Sequence, residues 1–134
     1  MRILVVEDDP IIACATAAEL EDAGHEVVGP ACSSLEADAL VAGALPDLAL
    51  VDINLEYAGA GVGLARRLKS QGVACIFVSG QALEARRNCD AALGMLHKPF
   101  DMAVLSRAVP VCEAVHAGRA PSMPLPPGLE LFAA

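Results

Sequence analysis

The chain has 134 residues, 55% of them hydrophobic, and a formal net charge of −8, which favours a single domain able to bury a sizeable core. The acidic balance, with aromatics at only 3% and no Trp, argues against nucleic-acid binding, because neither a basic patch nor a base-stacking platform is present. No apolar run reaches the roughly 18 residues of a membrane span, and Met1–Val6 runs into acids too soon for a signal peptide, so a cytoplasmic protein is expected.

Arg2–Val6 reads as an apolar strand that ends in Glu7, Asp8 and Asp9 before Pro10. Asp9 as N-cap and Pro10 at the first helical position start a helix to about Ala23, with Gly24 as its stop. Ile12, Thr16 and Leu20 give that helix an inward stripe, helped by Ala13 and Ala17. Glu26–Gly29 is a short second strand closed by Pro30, and Ser33 or Ser34 starts a helix ending near Gly43. Leu48–Asn54 is an apolar run ending on a carboxylate, bounded by Pro46-Asp47 and a Gly-rich stretch, as expected of a strand buried on both faces. A third helix from near Val62 to Gly72 carries Leu64, Ala65 and Leu68 on one side. Val73–Val78 is a fourth strand closing on Ser79-Gly80, Leu83–Ala92 a fourth helix, and Leu93–His97 a fifth strand weakened by Gly94. Asp101 caps a fifth helix to about Ala117, in which Pro110 predicts a kink or a break. From Gly118 the prolines predict an extended tail, residues 118–134, distinct from a domain over 1–117. Its apolar Leu129, Leu131 and Phe132 suggest docking on the domain or on a partner. The five cysteines, Cys14, Cys32, Cys75, Cys89 and Cys112, are odd in number and lack a CxxC pair, which points to reduced, buried thiols rather than disulfides or zinc.

Strand and helix alternate five times, which gives a parallel sheet with helices on both faces. Ligands bind such sheets at the carboxyl ends of the strands. There the first strand supplies Glu7 and Asp8, the third Asp52 and nearby Asn54, the fourth Ser79 and the fifth Lys98. Each has an ordinary alternative: a loop-capping Asp, a Ser-Gly turn, a solvated Lys before Pro. Their shared placement argues for a site. Three converging carboxylates repel one another and should recruit a hard divalent cation, for which Mg2+ with its oxygen ligands is suited. Asp52 could act as nucleophile toward a phosphoryl group, and a metal, an ammonium such as Lys98 and a hydroxyl such as Ser79 are the groups that hold its charged oxygens.

The set Val5-Val6-Glu7-Asp8-Asp9-Pro10, Leu50-Val51-Asp52-Ile53-Asn54-Leu55, Phe77-Val78-Ser79-Gly80 and Lys98-Pro99-Phe100 resembles the receiver domain of two-component response regulators, over Met1 to Ala117. The Asn54-Leu55 pair, the Gly-rich loop and the C-terminal ending resemble stand-alone, single-domain receivers. The resemblance implies a flavodoxin-like (βα)5 doubly wound sheet in the order 2-1-3-4-5. It implies Asp52 as phosphoacceptor, Ser79 and Lys98 as its catalytic partners, and Asp8, Glu7, Asp52 and the Asn54 carbonyl as the Mg2+ site. The expected partner is a sensor histidine kinase or phosphotransfer protein, with output through protein contact at the helix 4, strand 5, helix 5 face, which could also form a weak dimer, or through a phosphate-sink role. Two departures stand out: Met95 occupies a position where the family usually has Tyr or Phe, and Gly80 replaces the usual Ala. Met95 favours an alternative, a phosphorylation-independent interaction module on the same fold. An aspartate-nucleophile phosphatase of the haloacid dehalogenase type is a poorer match, because Asn54 cannot serve as the second, proton-transferring carboxylate.

Overall fold

The computed structural model describes residues 1–121 and 124–132. Five strands are parallel: β1 (Arg2–Val6), β2 (Glu26–Ala31), β3 (Leu48–Asp52), β4 (Ala74–Ser79) and β5 (Gly94–His97). A sixth, β6 (Leu129–Leu131), pairs antiparallel with β5, and the sheet order is β2-β1-β3-β4-β5-β6. Between them run α1 (Pro10–Asp22), α2 (Ser34–Gly43), α3 (Ala60–Ser70), α4 (Ala82–Arg87) and α5 (Met102–His116). The flavodoxin-like order expected from the sequence is present, extended by one antiparallel strand.

The inner strands are apolar except at their ends because both sheet faces are covered. Alternate residues of β1, β3 and β4 (Leu4, Val6, Ala49, Val51, Phe77) pack toward Leu64 and Leu68 of α3, with Val41 of α2 and Ala85 of α4. Their neighbours Ile3, Val5, Leu50, Ile76 and Val78 pack on the other face toward Leu20 of α1 and Leu105, Val109 and Cys112 of α5. Every residue of β3 and β4 is buried. This places Asp52 and Ser79, the last residues of two central strands, at the top of a dry core.

The helix starts follow the predicted chemistry. Asp9 caps α1 by accepting from the Ile11 and Ile12 N–H groups, Ser33 caps α2 through Glu36 N–H, and Asp101 caps α5 through Val104 N–H. In α1 the buried stripe is Ala13, Thr16, Ala17 and Leu20, while Ile12 is only half-buried.

Several boundaries differ from the sequence reading. β2 does not stop at Gly29 but continues through Pro30 to Ala31, with a register irregularity opposite Leu4–Val6. It can do so because β2 is an edge strand, where a missing N–H costs least; beyond the proline, the Ala31 carbonyl still accepts from Glu7 N–H at 2.9 Å. α3 starts two residues early, at Ala60, because Gly59 turns the chain at φ +80°. α4 ends at Arg87 rather than Ala92, where the Asn88 side chain donates to the Glu84 carbonyl and ends the helix. α5 is not broken at Pro110. An interior proline costs about 3 kcal/mol, whereas each fully buried aliphatic side chain contributes roughly 1.5–3 kcal/mol. Val109, Val111 and Leu105 are all buried while Pro110 faces outward, so packing wins. The tail is not wholly extended coil: Leu129–Leu131 join the sheet, and Phe132 packs against the α3 side. Of the cysteines only Cys75 and Cys112 are buried; Cys14, Cys32 and Cys89 are exposed, and all five are free thiols.

Candidate phosphoryl-acceptor site

β1 and β3 lie side by side in parallel register, Val6 opposite Val51, so the residues that follow them emerge together at the carboxyl edge. Carboxylate oxygens of Glu7, Asp8 and Asp52 all lie within 4.8 Å of one another. Glu7 is 5% exposed and Asp52 7%, while Asp8 is open to solvent. Two nearly buried carboxylates side by side are costly unless a cation joins them. Lys98, immediately after β5, supplies one: its Nζ donates to Glu7 Oε1 at 2.6 Å and to Asp52 Oδ2 at 3.2 Å. Burial works against the Lys98 charge, but the bond to Glu7 and the charge of Asp52 outweigh it and hold the ammonium above the usual lysine range. Among the described residues Asp8 makes no such ion pair. Partial burial, then the neighbouring Glu7, push its carboxyl above the usual aspartate range.

The loop after β3 is fitted to Asp52. Asn54 N–H donates to Asp52 Oδ1 at 3.0 Å, and the Asn54 side-chain oxygen accepts from Gly59 N–H at 2.9 Å. Gly61 N–H donates to the Ile53 carbonyl at 2.7 Å. At Gly61 a Cβ would stand 2.0 Å from the Asp52 carbonyl oxygen, so only glycine lets the start of α3 come this close. Sequence reasoning saw a Gly-rich loop but had no signal for which glycine carried the contact.

Ser79 is 2% exposed at the end of β4, whose Val78 pairs with Asp52. Its hydroxyl oxygen accepts from Gln81 N–H at 2.9 Å, and its carbonyl accepts from Lys98 N–H at 2.9 Å. The structure thus brings Glu7, Asp8, Asp52, Lys98 and the Asn54 backbone into one cluster, with Ser79 on the neighbouring strand accepting from Gln81 N–H and its own O–H left free to donate. The direct ion pair between Glu7 and Lys98, 91 residues apart in the chain, was not foreseen. Beside Lys98 an apolar groove of about 460 Å³ is lined by Ile11, Ile12, Ala15, Pro99, Phe100 and Met102. Met95 is fully buried on the opposite face of the sheet, on the same side as Phe77.

No helix among the described residues is long and apolar enough to cross a membrane. The oxygen-only donor set fits a hard divalent ion: three carboxylates with converging oxygens, one of them solvent-facing, and no sulfur or imidazole in the cluster.

Comparisons with known proteins agree with this geometry. Residues 3–110 match the family model of the response regulator receiver domain. The transcriptional regulatory protein PdtaR of Mycobacterium tuberculosis is 31% identical over 112 residues, covering 81% of this chain and 54% of that protein. The chain therefore spans about half the length of this relative. A CheY-like response regulator receiver domain protein from Methanospirillum hungatei superposes with a TM-score of 0.78 at 30% identity, covering 87% of this chain and 96% of the other. NtrX from Brucella abortus superposes at 0.77 and 27% identity over 87% of this chain but only 28% of its own. Sequence match, sheet order and the clustered acids at the strand ends agree: the chain belongs to the response regulator receiver domain family.

Proposed function

We propose that the chain is a response regulator of the single-domain type that accepts a phosphoryl group on Asp52 from a histidine kinase or phosphotransfer protein. The observation that carries this reading is the placement of Asp52: nearly buried, within 4.8 Å of two further carboxylates, and bridged by Lys98. An Asp52 carboxylate oxygen attacks phosphorus, the P–N bond to the donor imidazole breaks, and an acyl phosphate forms. Glu7, Asp8, Asp52 and the Asn54 carbonyl would hold Mg2+, which when bound offsets the negative charge gathered around the entering phosphoryl oxygens. Lys98 is already poised between Glu7 and Asp52 and turns its ammonium toward the added phosphoryl oxygens. The Ser79 hydroxyl donates to the same group from the neighbouring strand. Water later cleaves the acyl phosphate and returns the carboxylate.

The apolar groove beside Lys98 suits a phosphodonor that must land next to Asp52. Output in this reading is by protein contact or by draining phosphate from a kinase. The test is transfer from acetyl phosphate or a phosphorylated kinase in the presence and absence of Mg2+. Wild type should be labelled only with Mg2+, and Asp52→Asn should not be labelled. Label retained by Asp52→Asn would remove the residue from its role.

Met95 favours a second reading, an interaction module that no longer depends on phosphorylation. It is completely buried where an aromatic switch would need room to move. A chain that neither binds Mg2+ nor takes label would support that alternative.

A further inference from the structure

We propose that β6 is a displaceable strap whose docking is coupled through α4 to the phosphorylation state of Asp52. The inference rests on the reading of Asp52 as phosphoacceptor.

The position of β6 is built into the domain. At Gly94 of β5 a Cβ would stand 2.2 Å from the Glu130 carbonyl oxygen and 3.0 Å from Leu131 Cα. Any other residue would push the tail away. Glu130 is gripped from α4: Arg86 Nε and Nη2 donate to its two carboxylate oxygens at 2.8 and 2.6 Å. His97 Nε2 of β5 lies 3.6 Å from the same carboxylate. The backbone closes the contact at both ends, with His97 N–H to the Gly128 carbonyl at 2.8 Å and Phe132 N–H to the Leu93 carbonyl at 2.9 Å. Leu129 is buried toward α5 and Phe132 packs toward α3, so the strap spans both faces of the sheet. A strand of three residues has few bonds to lose, and such elements open at low cost.

α4 ties this strap to the site. It has six residues and no side-chain cap. At its start, Gln81 N–H is held by the Ser79 hydroxyl at 2.9 Å; near its end, Arg86 holds Glu130. A phosphoryl group on Asp52 draws the Ser79 hydroxyl proton toward it. To reach it the hydroxyl turns, and Gln81 N–H either follows or loses its acceptor. Either result shifts α4 and pulls Arg86 against Glu130. Undocking then bares the β5 edge and the apolar faces of Leu129 and Leu131. The coupling is reciprocal: whatever releases the tail must also alter phosphoryl acceptance.

The experiment is amide hydrogen exchange by NMR on the full chain, with and without acetyl phosphate and Mg2+, read at His97 and Phe132. In the labelled chain both amides should exchange at least about tenfold faster. Arg86→Gln should speed their exchange in the unlabelled chain and narrow the labelled-to-unlabelled difference to less than about twofold. Gly94→Ala should release the strap by a separate, steric route and likewise remove the difference. Label on Asp52 with exchange unchanged would overturn the coupling and leave the phosphoacceptor standing. An unaltered difference in Arg86→Gln would overturn the route through α4. Absence of label in wild type would overturn the phosphoacceptor reading and the coupling with it.

Discussion

Asp52 and Lys98 occupy one cluster yet weigh on stability in opposite directions. Asp52 adds a second nearly buried negative charge beside Glu7, and Asp8 adds a third. In Asp52→Asn, Lys98 keeps its shorter bond to Glu7, at 2.6 Å, while the repulsion is reduced. Without divalent cations this variant should be more stable than wild type by about 1 kcal/mol. Lys98→Met does the reverse, leaving Glu7 and Asp52 facing each other with no cation. Breaking a fully buried pair costs about 3–5 kcal/mol. The Lys98 side chain is 24% exposed, so the loss should be nearer 2 kcal/mol. Urea denaturation in EDTA checks both, and the same sign for the two variants would contradict this account of the cluster.

Among the elements, the β3–α3 junction leaves the least room. Gly61→Ala would drive a methyl group into the Asp52 carbonyl, backbone against backbone, with no flexible side chain to give way. A loss of about 3 kcal/mol is expected by chemical denaturation, at the overpacked end of core substitutions. β6 responds to pH. The Glu130 carboxyl is held below the usual glutamate range, first by its hydrogen bonds to Arg86 and then by the charges of Arg86 and His97. A depressed carboxyl contributes its stability above the ordinary glutamate range and loses it as the pH falls through the lowered value. Exchange of the Phe132 amide should therefore speed up on acidification below about pH 4 relative to the core strands, and Glu130→Gln should flatten that dependence. These two junctions also show where reading the sequence stops. Leu48–Asp52 announced itself by five apolar-to-acid residues between turn signals. Gly61 and Gly94 carried no such mark, because the backbone each one admits comes from another part of the chain. In β5, Gly94 reads as a weakness until Glu130 is seen lying across it. Lys98 was legible as a residue of the carboxyl edge, but its hold on Glu7 needed the register of β1, β3 and β5 in three dimensions.

For the whole molecule, the alternation of apolar runs with helix caps was enough to place five strands, because a parallel sheet covered on both faces leaves a continuous hydrophobic signature in its central strands, β3 and β4 above all. β6 left none: a strand of three residues after a proline-rich stretch has no period to read. The same covered sheet sorts the thiols. Burial pushes Cys75 and Cys112 up to about 12, whereas Cys14, Cys32 and Cys89 face solvent, with the Cys32 thiol raised by its bond to Glu36. Alkylation with iodoacetamide at pH 8 should modify Cys14 and Cys89 first, Cys32 more slowly, and Cys75 and Cys112 only after unfolding. Early modification of Cys75 would mean that the α3 side opens in the native protein. The two outer margins of the sheet have a consequence for crowded solution. One is β2, whose Pro30 offers no amide to a newcomer; the other is a strand of only three residues. Neither is a template on which a second molecule could stack, so a protein with more than half its residues apolar should stay free of fibrils for as long as its last strand remains seated.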